Sequence, residues 1–124
     1  LEQVLGEIEG KPVQVAGSGR TDAGVHAVAQ VAAVTLDNPI PAANLLRAMN
    51  RLLPLDIRIV DTAEVHDSFH PRFDAVAKTY EYRIFRGDIC APFDRRYVWH
   101  HPYRLNETAM IQAAAVFIGE HDFS

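Results

Sequence analysis

Up to residue 60 the chain is a run of short segments, each closed by Gly or Pro, and their hydrophobic periods alternate in a fixed order. Leu1, Val4, Leu5 and Ile8 recur at i, i+3, i+4 and i+7, one apolar stripe of a short helix that Gly10 and Pro12 end. Residues 13–16 read as a strand, and residues 17–24 as a turn-rich loop. Residues 25–36 carry Val and Ala on both faces, as expected of a strand covered on both sides. Residues 42–53 place Leu45, Leu46, Met49, Leu52 and Leu53 on one side of a helix that Pro54 stops. Residues 57–60 read as another strand. The order α-β-β-α-β becomes β-α-β-β-α-β with one strand added in front, so the expected class is α+β with a ferredoxin-like (RRM-like) unit lacking its first strand.

A second region follows. Pro71 biases His70 away from helix, so residues 62–77 form a connector. Residues 79–86 alternate strictly, with Tyr80, Tyr82 and Ile84 on one face and Glu81 and Arg83 on the other, and residues 96–100 are the expected neighbour. Asn106 caps a helix through residue 118, with Gly119 as its stop. This division predicts a domain over 1–68 that carries the glycine loop and the start of a second α+β domain over 69–124. The chain opens on Leu1 inside a helical pattern and ends directly after a helix, and is read as a piece of a longer protein.

Composition removes several classes. No apolar run approaches the roughly 20 residues of a membrane-spanning helix. A lone cysteine, Cys90, offers no internal disulfide, which fits a cytoplasmic protein. With 12 basic and 16 acidic side chains the net charge is −4, so any nucleic-acid surface must be local. Seven of the 12 basic residues do cluster between 72 and 104: Arg72, Lys78, Arg83, Arg86, Arg95, Arg96 and Arg104. His66 and His70 are four apart, but Pro71 denies them a helical face, and no thiolate cluster exists, so no metal site is expected.

The densest chemistry lies in Gly17-Ser-Gly-Arg-Thr-Asp-Ala-Gly-Val-His26. Its glycines permit positive φ or close approach of backbone. It matches neither a dinucleotide fingerprint nor a P-loop, and Ser18 does not stand in a nucleophile elbow. Arg20 and Asp22 remain, raised on a turn. An arginine beside an aspartate favours the carboxylate form that a nucleophile needs; equally, the pair suits a tight turn with a solvated ion pair. Tyr80 and Tyr82 are open to two readings in the same way, as a nucleobase stacking face or as half-buried core.

This ten-residue block resembles the G-x-G-R-T-D-A-G-V-H signature of the TruA family of tRNA pseudouridine synthases. Two further blocks resemble the same family in the same order: Phe69-His-Pro-Arg-Phe-Asp74 with Ala77-Lys-Thr-Tyr-Glu-Tyr82, and Phe117-Ile-Gly-Glu-His-Asp-Phe-Ser124. The family's opening strand, its Y-D-G-x-x-F-x-G-W-Q-x-Q segment and its C-terminal region have no counterpart in the sequence.

The resemblance implies an isomerase that converts uridine to pseudouridine in the tRNA anticodon stem-loop, as a homodimer, without metal or cofactor. It assigns Asp22 as the catalytic aspartate and Arg20 as its assistant in catalysis and base flipping. Tyr80 becomes the residue that contacts the flipped uracil, and Thr21, Gly24, His26 and Arg72 become further substrate-binding positions. The competing expectations are a non-catalytic RNA-binding module on a ferredoxin-like sheet and a plain α+β interaction domain in which the glycine loop is only a turn.

Overall fold

In the computed structural model, which describes residues 1–122, contacts divide the chain into two units, 1–79 and the part from Tyr80 onward. The first unit opens with helix α1 (Glu2–Glu9). Its stripe buries Val4 and Leu5, and Gly10 ends it at φ +74°, with its amide on the Gly6 carbonyl at 2.9 Å. That left-handed conformation is the one a residue with a Cβ resists. Strands β1 (Val15–Gly17) and β2 (Ala32–Val34) pair antiparallel, with Val15 opposite Val34 and Gly17 opposite Ala32. Helix α2 (Ala42–Leu52) starts at Pro41, whose carbonyl accepts from Asn44 and Leu45, and stops before Pro54.

The two helices touch, and the core forms around their contact: Val4, Leu5, Val13, Met49 and Leu53 are buried, with Ile8, Val15, Val34, Leu36, Leu45 and Ile59 packed against them. Polar ties fix the elements further. The Glu2 carboxylate accepts the Val15 amide at 3.0 Å, Glu9 accepts Asn38 at 2.8 Å, and Lys11 pairs with Asp37. Hydrophobic burial of a few aliphatic side chains, about 1.5–3 kcal/mol each, therefore carries this unit.

Two strand expectations are corrected in this unit. Of residues 25–36 only Ala32–Val34 join a ladder, and Val28 is 94% exposed rather than covered. The partner strand is three residues long, and beyond it apolar residues have no ladder to enter. Residues 57–60 are not a strand either; the α-β-β-α order stands and the fifth element is not formed. Instead the Asn50 side chain holds both backbone groups of Ile59.

In the second unit β3 (Ile84–Phe85) and β4 (Trp99–His100) lie side by side, as the sequence suggests, and run parallel. Parallel pairing needs a crossover of about a dozen residues, and residues 86–98 provide one. The strand read over 79–86 shrinks to Ile84–Phe85, because its partner offers only two residues; Tyr80 and Tyr82 are exposed rather than half-buried. Helix α3 (Glu107–Ala114) begins at Asn106, whose Oδ1 accepts the Ala109 amide at 3.0 Å. A 3₁₀ turn (Ala115–Phe117) extends it, and Gly119 follows at φ +108°. Among the described residues of this unit none is buried. Phe123 and Ser124, the end of the third sequence block, lie outside the described residues.

Candidate active site

The loop that leaves β1 and returns to β2 carries the glycine block. The Ser18 amide donates to the Val31 carbonyl at 2.9 Å and closes the loop at its root. Two consecutive carbonyls just before Arg20 are then captured by side chains. Lys78 donates from Nζ to the Ser18 oxygen at 2.8 Å, and the Gln30 amide donates to the Gly19 oxygen. The glycines have different reasons to be there. A Cβ on Gly19 would stand 3.2 Å from Lys78 Nζ, so Gly19 serves close approach. Gly24 sits at φ +85° with nothing within 4 Å of where a Cβ would stand, so it serves the turn itself. That turn closes through the Val25 amide on the Asp22 carbonyl at 3.0 Å, with Gly24 where a type II turn requires positive φ.

Arg20, Thr21, Asp22, Gly24 and His26 are all exposed on this loop. Arg20 and Asp22 do not pair: among the described residues the Asp22 carboxylate has no hydrogen-bond or ion-pair partner. The solvated ion pair expected of a plain turn is therefore not what the loop holds. Both carboxylate oxygens are open to a ligand, and the hydrogen bonds that tie the loop are at its root.

Arg72 stands in a separate turn of the same unit. His70 organises that turn: its amide donates to Asp74 at 2.7 Å, its Nδ1 accepts from the Arg72 and Phe73 amides at 3.2 and 3.3 Å, and its ring lies 4.3 Å from that of Phe73. Pro71 is buried beneath it, while the Arg72 side chain is exposed. In the second unit Tyr80 is 81% exposed, and Tyr82 packs edge-on against Trp99 at 6.3 Å.

The basic cluster between 72 and 104 is partly spoken for. Arg83 pairs with Glu81, which the hydrogen bond and charge of the guanidinium hold below the ordinary glutamate range; Arg86 pairs with Glu107. Lys78 is turned to backbone. Lys78 and Gln30 are the site residues that sequence reasoning misses, because Lys78 finds its partner 60 residues away and Gln30 finds its own across the loop, and no local pattern announces either. Among the described residues no group of three or more His, Cys, Asp or Glu side chains is arranged to hold a metal ion, and no helix is long and apolar enough to cross a membrane.

Comparison with known proteins bears on residues 1–74, which match a family model described as tRNA pseudouridine synthase. The whole chain is 64% identical to a tRNA pseudouridine synthase A of Solibacter usitatus and covers 52% of it. It is 46% identical to a protein of the same name from Limosilactobacillus fermentum, of which it covers 49%, and 43% identical to one from a Bacillus species, of which it covers 51%. The chain thus spans about half the length of the curated relatives it matches.

Proposed function

The chain belongs to the tRNA pseudouridine synthase family, and from that premise we propose that the full-length polypeptide carrying it isomerises uridine to pseudouridine in the anticodon stem-loop of tRNA, with Asp22 as the nucleophile. The observation that carries the reading is the Asp22 carboxylate: exposed, without a partner among the described residues, on a loop whose root is tied by three hydrogen bonds.

The chemistry asks for little more than a nucleophile and a way to hold the base. A uridine stacked in a stem hides its glycosidic bond, so it must be everted at a cost of a few kcal/mol. Arg20, two residues from Asp22, suits the vacated space and the phosphates beside it, since its planar guanidinium stacks and hydrogen-bonds at once. Asp22 attacks as the carboxylate, at C1′ of the sugar or at C6 of the ring. The N-glycosidic bond breaks, the uracil turns and C5 bonds to C1′; the bond to Asp22 breaks to return the carboxylate, and the proton lost from C5 to solvent is matched by one taken up at N1. No atom is gained and nothing is oxidised, so the balance requires neither cofactor nor metal.

Tyr80 stacks on the detached uracil and keeps it from diffusing away. Thr21, Gly24, His26 and Arg72 contact the RNA. Activity belongs to the full-length polypeptide, acting as a cytoplasmic homodimer. Its finer fold is a ferredoxin-like unit with its opening strand outside the described residues. The α1-β1-β2-α2 order supports that topology.

The direct test is to incubate the full-length polypeptide with an unmodified tRNA transcript and map pseudouridine by base. Pseudouridine confined to the anticodon stem-loop is the expected result. Its formation elsewhere, or none at all, contradicts the proposal.

A further inference from the structure

Two carbonyls in a row, on Ser18 and Gly19, face side chains that belong to no part of the loop's own turn. Ser18 receives Lys78 Nζ at 2.8 Å from 60 residues further along the chain; Gly19 receives the Gln30 amide from the returning limb. Gly19 has no backbone reason to be glycine, because its φ is not among the positive ones. Its reason is room: a Cβ there would stand 3.2 Å from the Lys78 ammonium, tight enough that the ammonium would have to shift by a few tenths of an ångström. The glycine and the lysine therefore fit one another, and they do so one residue before Arg20 and three before Asp22.

An exposed loop of this length has little to hold it. From residue 19 to residue 32 every residue is exposed, so no burial fixes the backbone that carries the nucleophile. Its root is tied by hydrogen bonds. An ammonium–carbonyl hydrogen bond is charge-assisted and stronger than a neutral one, and this one reaches outside the hairpin, to a residue 60 positions further along. On the reading that Asp22 is the nucleophile, we propose that Lys78 is a positioning residue of this reaction: through the Ser18 carbonyl, in the space Gly19 leaves, it sets the direction in which residues 20–22 leave the sheet, with Gln30 as its weaker counterpart.

Lys78 touches no reacting atom in this account, so its removal acts on turnover and not on capture of the RNA. A misplacement of about 1 Å at a reacting group costs up to roughly 100-fold in rate. In the full-length polypeptide, Lys78→Met is expected to lower kcat by about that factor, with the tRNA Kd and its dependence on salt within threefold of the parent. Lys78→Arg, which keeps a charged donor, recovers most of the loss. Gln30→Ala and Gly19→Ala each lower kcat by about tenfold, the second by crowding the ammonium without removing it.

An unchanged kcat in Lys78→Met overturns the inference. So does a loss confined to Kd together with a salt slope reduced by about one, the mark of a phosphate contact instead of a positioning tie. If Lys78→Met does not fold, Gly19→Ala and Gln30→Ala carry the test, and full turnover in both contradicts it. Asp22→Asn measured alongside keeps the two claims apart: activity there removes the underlying reading, whereas an inactive Asp22→Asn with a fully active Lys78→Met removes the positioning role alone.

Discussion

Asn50 on α2 brackets Ile59: its Nδ2 donates to the Ile59 carbonyl at 2.7 Å and its Oδ1 accepts the Ile59 amide at 2.8 Å. One amide side chain thus does for residue 59 what a neighbouring strand does for a ladder residue. Each such bond contributes about 1 kcal/mol net, and part-buried groups left without a partner add to the loss. Asn50→Ala is expected to lower unfolding stability by about 1–3 kcal/mol, read from urea denaturation. A change within error shows that water replaces the bracket at no cost.

The Asn50 bracket also explains which parts of the fold are legible in the sequence. Helices close their hydrogen bonds locally, so the stripe of α1, the Asn106 cap and the stop at Gly10 are all readable from residues nearby, although the helix expected through residue 118 ends at Ala114 and passes into a 3₁₀ turn. Strands depend on a partner elsewhere. Alternation over 79–86 says which side chains would share a face, and says nothing about whether a partner is long enough; only Ile84 and Phe85 find one. The same holds for Val25, Val28 and Val31, apolar but exposed because β1 ends at Gly17. The turn at Gly24 follows from its glycine, yet the tie from Lys78, 60 residues away, and the tie from Gln30, across the loop, are contacts of polar side chains that no period marks.

Gly10 and Gly24 share a left-handed conformation but hold different things. A Cβ in that region costs about 1–2 kcal/mol. Gly10→Ala is expected to lower stability by that amount, since the α1 stop positions core residues. Gly24→Ala leaves the melting temperature within error and lowers turnover of the full-length polypeptide roughly tenfold or more, because the turn beside Asp22 opens. Equal effects of the two on melting contradict this division.

Lys11 and Asp37 join the end of α1 to the segment after β2. The hydrogen bond to Asp37 raises the Lys11 ammonium above the ordinary lysine value. A raised folded value means the contribution is complete below the unfolded lysine pKa and is lost as pH climbs through the folded one. The melting-temperature advantage of the parent over Lys11→Met should therefore be present at neutral pH and vanish on the alkaline side. Added salt should shrink it, since both groups are exposed. An advantage that grows at high pH contradicts the assignment.

Tyr80, 81% exposed, is proposed to act through its ring. Tyr80→Phe in the full-length polypeptide is expected to keep turnover within about threefold, whereas Tyr80→Ala loses roughly ten- to 100-fold, in line with about 1–3 kcal/mol for a base–aromatic stack. Equal losses in the two variants assign the role to the hydroxyl.

The most direct test falls on Asp22. Tritium release from C5-labelled uridine in tRNA reports bond formation at C5, and a parallel binding assay reports capture of the RNA. In the full-length polypeptide Asp22→Asn, nearly isosteric but uncharged, should release no tritium while binding tRNA within a few-fold of the parent. Tritium released at the parent's rate by that variant would remove the Asp22 carboxylate from the reaction.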